Sequence, residues 1–460
     1  MEITKKFFLL ALFLNLTMNS ALFGQSSVQI GGVSFSAEVL VNNLDIPWEV
    51  LYGSDGDLWI SERRGRIIKL NPTTKEIQVL LDIRQQVIQQ AESGMLGMAF
   101  DPDFDQNGYL YCVYTYRNSN NQMRERLVRY RYDGSVLVEP SVILDGIIAN
   151  TTHNGARLQF LPDGTLLMST GDAQDLTFPQ DLQSLNGKVL RMNKDGSIPQ
   201  DNPFENSLVY SFGHRNVQGM FVSPDGLVYI TEHGASTDDE FQVLVAGKNY
   251  GWPNVEGFCN LPSEIEFCEA NSVAEPLFAW TPTVAPSDLI MYQNPELPEL
   301  DGKILMAVLK DLYLSVISEV DGRYQESKNL VGTYGRLRDI CQDPSGNIYL
   351  ATNGNSWVNN TPNTHRIIKL TPPVSTSSTD IPTEKNCFEV ERSGSGLGFR
   401  FEKDGRYTVM VSDIIGRQIR SMDINGSIGY LDMDTVVSGV YLISVRSREG
   451  LFTQKIFYQP

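Results

Sequence analysis

The sequence predicts an all-β protein, a six-bladed β-propeller followed by a small C-terminal β-sandwich. Three observations support this prediction. A turn-and-strand phrase recurs through the first 373 residues, two nearly identical strands stand at the ends of that region, and the pattern changes after it.

The recurring phrase is a tight turn with Asp or Asn and Gly, followed by a strand of alternating apolar residues. Its turn glycines are spaced 44 to 76 residues apart. They are Gly56, Gly108, Gly164, Gly226, Gly302 and Gly346. Glycine supplies the positive φ of such a turn, and alternation is the period of a sheet strand. One four-stranded blade fits each repeat, so six blades are expected.

Near copies of one strand mark the two ends of the predicted ring. RIIKLNP spans 66–72 and RIIKLTP spans 366–372, with KVLRMN at 188–193 as a third related strand. We expect the first and last copies to belong to the first and last blades of one closed ring, because closure removes exposed sheet edges. The predicted propeller spans residues 26–373.

Three shorter segments complete the chain. Residues 1–25 place Lys5 and Lys6 before an apolar run and then small polar residues, which is the order of a secretory signal peptide. Residues 374–387 are rich in Ser, Thr and Pro and read as a linker. Residues 388–460 return to short alternating strands and form the predicted β-sandwich.

Charge and composition exclude some functions. The formal net charge is -18 with no compensating basic block, which disfavours nucleic acid as a partner. No segment after the leader is apolar enough for a transmembrane helix. Together with the leader, this predicts an exported protein, secreted or at the cell surface. The 5 cysteines include Cys259 and Cys268, close enough in sequence to form a disulfide.

Polar residues are concentrated in the segments between the predicted strands. Several cations and one histidine come from different blades: His153, Arg215, Lys310, Arg336 and Arg338. Loops of a propeller converge at one end of its central channel, so this set predicts a cup for a polyanionic ligand. Zinc is an alternative for His153, His214 and His233, although they lack the close spacing of a zinc motif.

Several segments resemble those of the soluble quinoprotein glucose dehydrogenases and the related aldose sugar dehydrogenases. They include ESGMLGMAFDPDF, THNGARLQFLPDGTLLMSTGD, GHRNVQG, DDEFQVLVAGKNYGWPNVEG, TPTVAPS and GRLRDI, in the family's order. The resemblance covers about residues 37–372. It implies a six-bladed propeller that binds pyrroloquinoline quinone (PQQ) and calcium.

The resemblance also implies roles for individual residues. His153 stands at the position of the general base and Arg215 at that of the arginine facing the reactive quinone carbonyl. The cofactor-contacting positions correspond to Asn216, Thr283, Lys310, Arg336 and Arg338. Lys and Arg suit the three carboxylates of the quinone.

Calcium ligands and substrate contacts follow from the same resemblance. Gly234 and Ala235 match positions whose main-chain carbonyls hold the cofactor's calcium. The acids after them, Asp238, Asp239 and Glu240, form either a polar turn or, with Tyr250, a second calcium site. Among the substrate positions, Glu92 replaces a glutamine and Thr152 replaces an aspartate of glucose dehydrogenase, which leaves sugar specificity open.

The tail resembles the C-terminal sorting domain of the type IX secretion route, through GRYTVMVSDIIGRQIRS and SGVYLISVRSREGLFTQKIFYQ. That implies recognition by the type IX machinery. A carbohydrate-binding or structural β-sandwich is the alternative.

Together these observations predict a secreted dehydrogenase that oxidises the anomeric carbon of aldoses to lactones and passes electrons through PQQ to an external acceptor. Two alternatives come from other classes. One is a non-catalytic propeller that binds sugar or protein, and the other is a calcium-dependent hydrolase of the lactonase type. The cationic set favours the dehydrogenase, because neither alternative needs it.

Overall fold

The computed structural model of the protein describes residues 26–354, 362–373, 388–393, 396–413, 418–436, 439–447 and 451–458. Two compact units meet in sequence between Pro373 and Val374. The predicted signal peptide at 1–25 and linker at 374–387 lie outside the described residues, and both stay predictions.

The first unit consists of six antiparallel sheets. Two strands begin the chain, β1 (Ser26–Ile30) and β2 (Val33–Val41). The first sheet contains β3 (Pro47–Tyr52), β4 (Leu58–Glu62), β5 (Arg66–Leu70) and β6 (Ile77–Asp82). The second contains β7 (Met95–Phe100), β8 (Tyr109–Arg117), β9 (Met123–Tyr132) and β10 (Leu137–Ile148), with the short helix α1 (Phe104–Asn107) after β7. The third contains β11 (Gly155–Phe160), β12 (Leu166–Thr170), β13 (Lys188–Met192) and β14 (Val209–Phe212).

The remaining sheets follow the same plan. The fourth contains β15 (Val217–Val222), β16 (Val228–Glu232), β17 (Asp239–Leu244) and β18 (Phe278–Trp280), with helix α2 (Pro262–Asn271) before β18. The fifth contains β19 (Pro286–Met291), β20 (Ile304–Val308), β21 (Leu314–Val320) and β22 (Arg323–Asn329). The sixth contains β23 (Leu337–Gln342), β24 (Ile348–Thr352) and β25 (Ile367–Thr371).

The sixth sheet closes the ring with strands from the start of the chain. β2 pairs with β25, and β1 pairs with β2. The innermost strand of each sheet contacts that of the next, and β23 contacts β3. The predicted six-bladed propeller is therefore confirmed, and all six turn glycines have a positive φ between the first two strands of their blades.

Apolar side chains fill the space between each pair of neighbouring blades. Six hydrophobic clusters cover the six interfaces between adjacent blades, including that between the last and the first, and one of them also contains Trp48 of the first blade. Trp59 at the interface of the first two blades is fully buried. Because burying such a side chain contributes roughly 1.5–3 kcal/mol, these interfaces hold the blades as one rigid ring.

Charged side chains occupy the centre of this ring. The Trp48 ring lies between two guanidinium groups, with Arg157 at 4.4 Å and Arg338 at 4.3 Å from its centroid. Arg157 pairs with Glu49 at 2.5 Å and with Asp339 at 2.9 Å. These contacts fix Arg338 at the base of the cavity described below.

Two kinds of loop meet at one end of the central channel. One kind enters each blade before its innermost strand, and the other joins its second and third strands. Most of the predicted site residues lie in these loops, because antiparallel strands bring both kinds to the same end. Arg338 and Asp239 instead belong to β23 and β17, and Tyr250 lies between β17 and β18.

The second unit is a β domain of five strands. They are β26 (Phe388–Ser393), β27 (Gly396–Asp413), β28 (Gln418–Asp432), β29 (Gly439–Arg446) and β30 (Leu451–Tyr458). β26 pairs with the first part of β27, and β29 pairs with its second part. β28 pairs with both parts of β27. Phe399, Val409 and Ile443 lie in one apolar core, as a small sandwich requires.

Cys259 and Cys268 form a disulfide that closes the segment leading into α2. None of the helices among the described residues is long and apolar enough to cross a membrane.

Candidate active site

A cavity of about 300 Å³ lies at the loop end of the central channel. Four cations line it, together with one carboxylate, Glu92. The cations are Arg63, Lys310, Arg336 and Arg338. Three of the five residues predicted for the cup, Lys310, Arg336 and Arg338, therefore line one cavity, and Arg63 is an additional member that the sequence reasoning missed. His153 and Arg215 are not among its lining residues, and Arg215 lines a second cavity instead.

The side chains of the cup have unused hydrogen-bonding capacity. Among the described residues, six of the ten buried side-chain nitrogens and oxygens without a partner belong to Arg63, Arg336, Arg338 and His365, all in this cavity. Burial lowers the pKa of Arg63 to about 10 and, with Arg157 nearby, that of Arg338 to about 9. An anion in the cup would offset both penalties.

Two further contacts orient the cations. Lys310 Nζ donates to Thr283 Oγ1 at 2.6 Å. Arg338 Nη2 donates to Gln218 Oε1 at 2.7 Å, and Gln218 Nε2 donates to Asn216 Oδ1 at 3.1 Å. Thr283 thus stands beside the cup as expected, while Asn216 lies behind Gln218, with its Oδ1 also accepting the Gly155 N–H at 3.1 Å.

His153 lies in the loop that enters the third blade, in the left-handed region with φ 57°. Its Nδ1 is 2.8 Å from Asp172 Oδ1, and Asp172 is buried. The other carboxylate oxygen accepts the Trp252 indole N–H at 2.9 Å, and the Gln174 N–H bonds to Oδ1 at 2.8 Å. A carboxylate at Nδ1 sets the tautomer that leaves a lone pair on Nε2.

The two predicted substrate residues flank His153. Glu92 Oε2 accepts the His153 main-chain N–H at 3.1 Å, and Glu92 lines the cup. The Thr152 hydroxyl accepts a hydrogen bond from the Gln174 amide. Gln174 is thus a further polar group in the loop beside His153.

A buried network holds Arg215 in place. Glu232 accepts the main-chain N–H groups of Arg215 and Asn216 and pairs with His214 Nδ1 at 2.8 Å. The Arg215 guanidinium donates to the His233 carbonyl at 3.1 Å and lies over the Trp252 ring at 5.4 Å from its centroid. His214 is therefore a structural residue, and its polar neighbours aim Arg215.

Two of the four predicted metal residues line a second, smaller cavity beside the cup, which Arg215 lines as well. Gly234 and Tyr250 line it, together with four acids. The acids are Glu232, Asp238, Glu240 and Glu256. Within the described residues the carbonyls of Gly234 and Ala235 accept no hydrogen bond, so their oxygens are free for a cation.

Asp239 and the Tyr250 phenol are already engaged. Asp239 accepts N–H bonds from Gly234 at 2.7 Å and from Val284 and Ala285 at 2.6 Å each. Asp239 therefore organises the loop that carries Gly234, and its ligation of a metal stays a prediction. The Tyr250 hydroxyl donates to the Val243 carbonyl at 2.7 Å, so Tyr250 offers a metal only its main-chain carbonyl.

The zinc alternative has no support in this geometry. His233 Nε2 lies 2.8 Å from the Pro286 carbonyl, and burial lowers the pKa of this imidazole to about 3. His153, His214 and His233 thus each have their own partners. Among the described residues, the carboxylates that converge tightly enough for a metal are Glu49, Asp288 and Asp339, which surround Arg157.

Sequence reasoning missed several residues of the site. Asp172 follows a predicted strand in the segment STGD, where an acid reads as an ordinary turn residue. Arg63 lies in the basic run ERRGR, which reads as solvated surface. Trp252 was visible in GKNYGWP, but nothing in that segment shows that its N–H reaches Asp172.

Fold and site together define a propeller with a cation-lined cup, a histidine paired with a buried carboxylate, and a loop with free carbonyl oxygens. The chain is 30% identical to the PQQ-bound aldose sugar dehydrogenase of Streptomyces coelicolor, with a TM-score of 0.64 over 73% of this chain and 98% of that one. The quinoprotein glucose dehydrogenase B of Acinetobacter calcoaceticus is 35% identical over 49% of this chain and 54% of its own length. The aldose sugar dehydrogenase YliI of Escherichia coli is 27% identical over 72% and 93%.

The family model for glucose/sorbosone dehydrogenases matches residues 44–358. The chain therefore belongs to the glucose/sorbosone dehydrogenase family, and the resemblance noted for the propeller segments is confirmed. The resemblance of the tail stays a prediction.

Proposed function

We propose that this protein is a PQQ- and calcium-dependent dehydrogenase that oxidises the anomeric carbon of aldose sugars to lactones. The observation that carries the proposal is the cup, where four cations face one cavity with a single carboxylate. Arg63 and Arg338 are buried, Arg336 is half-buried and Lys310 is exposed. A binder of neutral sugar or a hydrolase has no use for this charge.

The cup suits a planar ligand with several carboxylates. Lys310, Arg336 and Arg338 would hold those carboxylates, with Thr283 fixing Lys310. Guanidinium groups match carboxylates in a bidentate manner, and the unpartnered Nε atoms of Arg336 and Arg338 provide donors for it. The residues present therefore fit PQQ.

The loop after β16 suits calcium. A hard cation prefers oxygen ligands, and the free carbonyls of Gly234 and Ala235 supply them beside the cup. A Cβ on Gly234 would lie 2.0 Å from the Thr237 carbonyl oxygen, so the tight loop that presents these carbonyls requires glycine.

The protein's own groups handle the proton and the charge. When bound, PQQ with calcium supplies the acceptor for the hydride that leaves the anomeric carbon. His153 Nε2 takes the proton of the anomeric hydroxyl, so that loss of one hydride and one proton converts the aldose to the lactone. Asp172 holds the imidazole and stabilises its protonated form, as its bond to Nδ1 allows. Arg215 supplies N–H donors where negative charge develops.

Glu92 and Thr152 orient the sugar in this proposal. Glu92 lines the cup and contacts the His153 backbone, and Thr152 is adjacent in sequence, so both are within reach of hydroxyls next to the anomeric carbon. A carboxylate at residue 92 accepts hydrogen bonds from two sugar hydroxyls, which an amide at that position would do less strongly.

We further propose export and recognition of the tail by the type IX machinery. The leader-like N-terminus and the Cys259–Cys268 disulfide support export, because disulfides persist outside the reducing cytosol. Cell fractionation of the full chain and of a chain ending at residue 373 tests this: the shorter chain should accumulate in the periplasm. Equal release of both would contradict the role of the tail.

The test of the enzymatic proposal uses the purified protein with PQQ and calcium. We expect aldose-dependent dye reduction that needs both additions and falls to background in His153→Gln. Binding of PQQ without sugar oxidation would favour a non-catalytic propeller, and lactone hydrolysis without PQQ would favour the hydrolase.

A further inference from the structure

One corner of the cup has no part in the mechanism above. Arg63 follows β4 in the first blade, and His365 precedes β25 in the last. Both side chains line the cavity, although they are only 9% and 8% exposed. This corner therefore lies where the first and last blades meet, at the wall of the cup.

Both residues are polar and buried, and their side chains lack hydrogen bonds of standard geometry among the described residues. This holds for Nε and Nη2 of Arg63 and for both ring nitrogens of His365, whose ring makes only a weaker approach to the Thr352 backbone. Glu92 lines the same cavity, but it forms no ion pair with Arg63, and its Oε2 accepts the His153 N–H instead. A buried, unpaired guanidinium lowers stability, so a structural role does not explain it.

The donors in this corner match a carboxylate. A guanidinium binds a carboxylate through two parallel N–H bonds, and an imidazole N–H adds a third. A neutral sugar needs no such charge. Arg63 is a fourth cation in the same cavity.

We propose that Arg63 and His365 form a carboxylate subsite of the central cup. The inference rests on the proposed function, because it takes the cup as the site of both cofactor and sugar. The carboxylate comes either from PQQ or from an acidic sugar such as a uronate. The chemistry is the same for both sources, and the experiment separates them.

The test compares Arg63→Met with Arg64→Met in the full-length protein. Arg64 is the neighbouring residue, with a side chain 53% exposed, and it pairs with Asp45 at 3.4 Å, so it is a matched control. For each variant we would measure PQQ affinity with calcium by tryptophan fluorescence, the ratio of kcat/KM for glucuronate to that for glucose, and the unfolding midpoint without ligands.

If PQQ supplies the carboxylate, Arg63→Met weakens PQQ binding by about 30-fold or more, the usual consequence of truncating one partner of a buried charged contact. If an acidic sugar supplies it, PQQ affinity is unchanged and the preference for glucuronate falls by a similar factor. In both cases the unliganded variant unfolds at a higher temperature than the parent, because an uncompensated buried charge has been removed. His365→Phe, which keeps a ring of similar size, should weaken the same binding by a smaller factor.

The proposal is overturned if Arg63→Met matches Arg64→Met in both binding measurements, or if it lowers the unfolding midpoint as loss of a structural contact would. If the parent protein binds no PQQ, the proposed function fails on its own. The subsite is then tested by calorimetry with benzene-1,3,5-tricarboxylate, whose binding must be weaker in Arg63→Met than in Arg64→Met.

Discussion

Asp172 offers a sharp test of the proposed chemistry, because it orients the base without lining the cup. Its carboxylate accepts hydrogen bonds from His153 Nδ1, Trp252 Nε1 and the Gln174 N–H. The change Asp172→Asn keeps the shape but replaces one acceptor oxygen with a donor NH₂ group. One arrangement then sets the NH₂ against the Trp252 N–H, and the other sets it against His153 Nδ1 and the Gln174 N–H.

The second arrangement also forces His153 into the tautomer that carries its proton on Nε2, where it cannot act as a base. General-base catalysis contributes about 100-fold to 10,000-fold to a rate. We therefore expect kcat/KM for the aldose to fall by that range, or about 3–5 kcal/mol of transition-state stabilisation. PQQ affinity should be unchanged.

The assay is steady-state dye reduction at saturating PQQ and calcium, with Asp175→Asn as control. Asp175 lies in the same loop, but its carboxylate bonds only locally to Thr177, at 2.6 Å through the hydroxyl. Activity of Asp172→Asn within a few fold of the control would refute the assignment of the base. Loss of PQQ binding would refute the separation of base from cup.

Three further predictions address the loops and the channel. Gly234→Ala should abolish calcium-dependent PQQ binding, measured by titration with and without EGTA, because the new Cβ meets the Thr237 carbonyl; unchanged calcium dependence would exclude this loop. Glu232→Gln should lower the unfolding midpoint and reduce kcat by about tenfold or more, because it weakens the hydrogen bonds to the Arg215 main chain. The loss of these bonds costs about 2 kcal/mol or more. Full activity of this variant would show that the network does not position Arg215. Burial raises the pKa of Glu49 to about 7, so the folded state retains a proton that the unfolded chain releases, and stability falls as pH rises from about 4.5 to 7. In Glu49→Gln the decrease of the unfolding free energy with pH should be smaller, by at most about 1.4 kcal/mol per pH unit. Urea unfolding midpoints between pH 5 and 8 measure this difference.

The sequence predicted the fold well because its signals are local. A tight turn needs a glycine with positive φ, and a strand needs alternating apolar and polar residues, so each repeat can be identified from its own residues. Pairing between the ends of the chain has no such local signal. The sequence suggested which blades meet but not that β2 completes the last sheet, because strand pairing over more than 300 residues depends on the assembled ring.

The sequence predicted those site residues that have a local signal and not the contacts between distant loops. Cations such as Lys310 and Arg336 stood out because charge between apolar strands is unusual. Contacts such as Trp252 with Asp172 depend on two distant loops, which only the ring brings together. Arg63 was overlooked because its basic neighbours suggest solvent, whereas its exposed fraction is 9%.

The most direct test of the central claim is an anaerobic single-turnover experiment on the protein loaded with PQQ and calcium. Mixing with glucose should reduce the cofactor in one step, followed by its absorbance, and glucose with deuterium at C1 should react more slowly because that hydrogen is transferred. No reduction, or equal rates for the two sugars when the step is directly observed, would contradict hydride removal from the anomeric carbon.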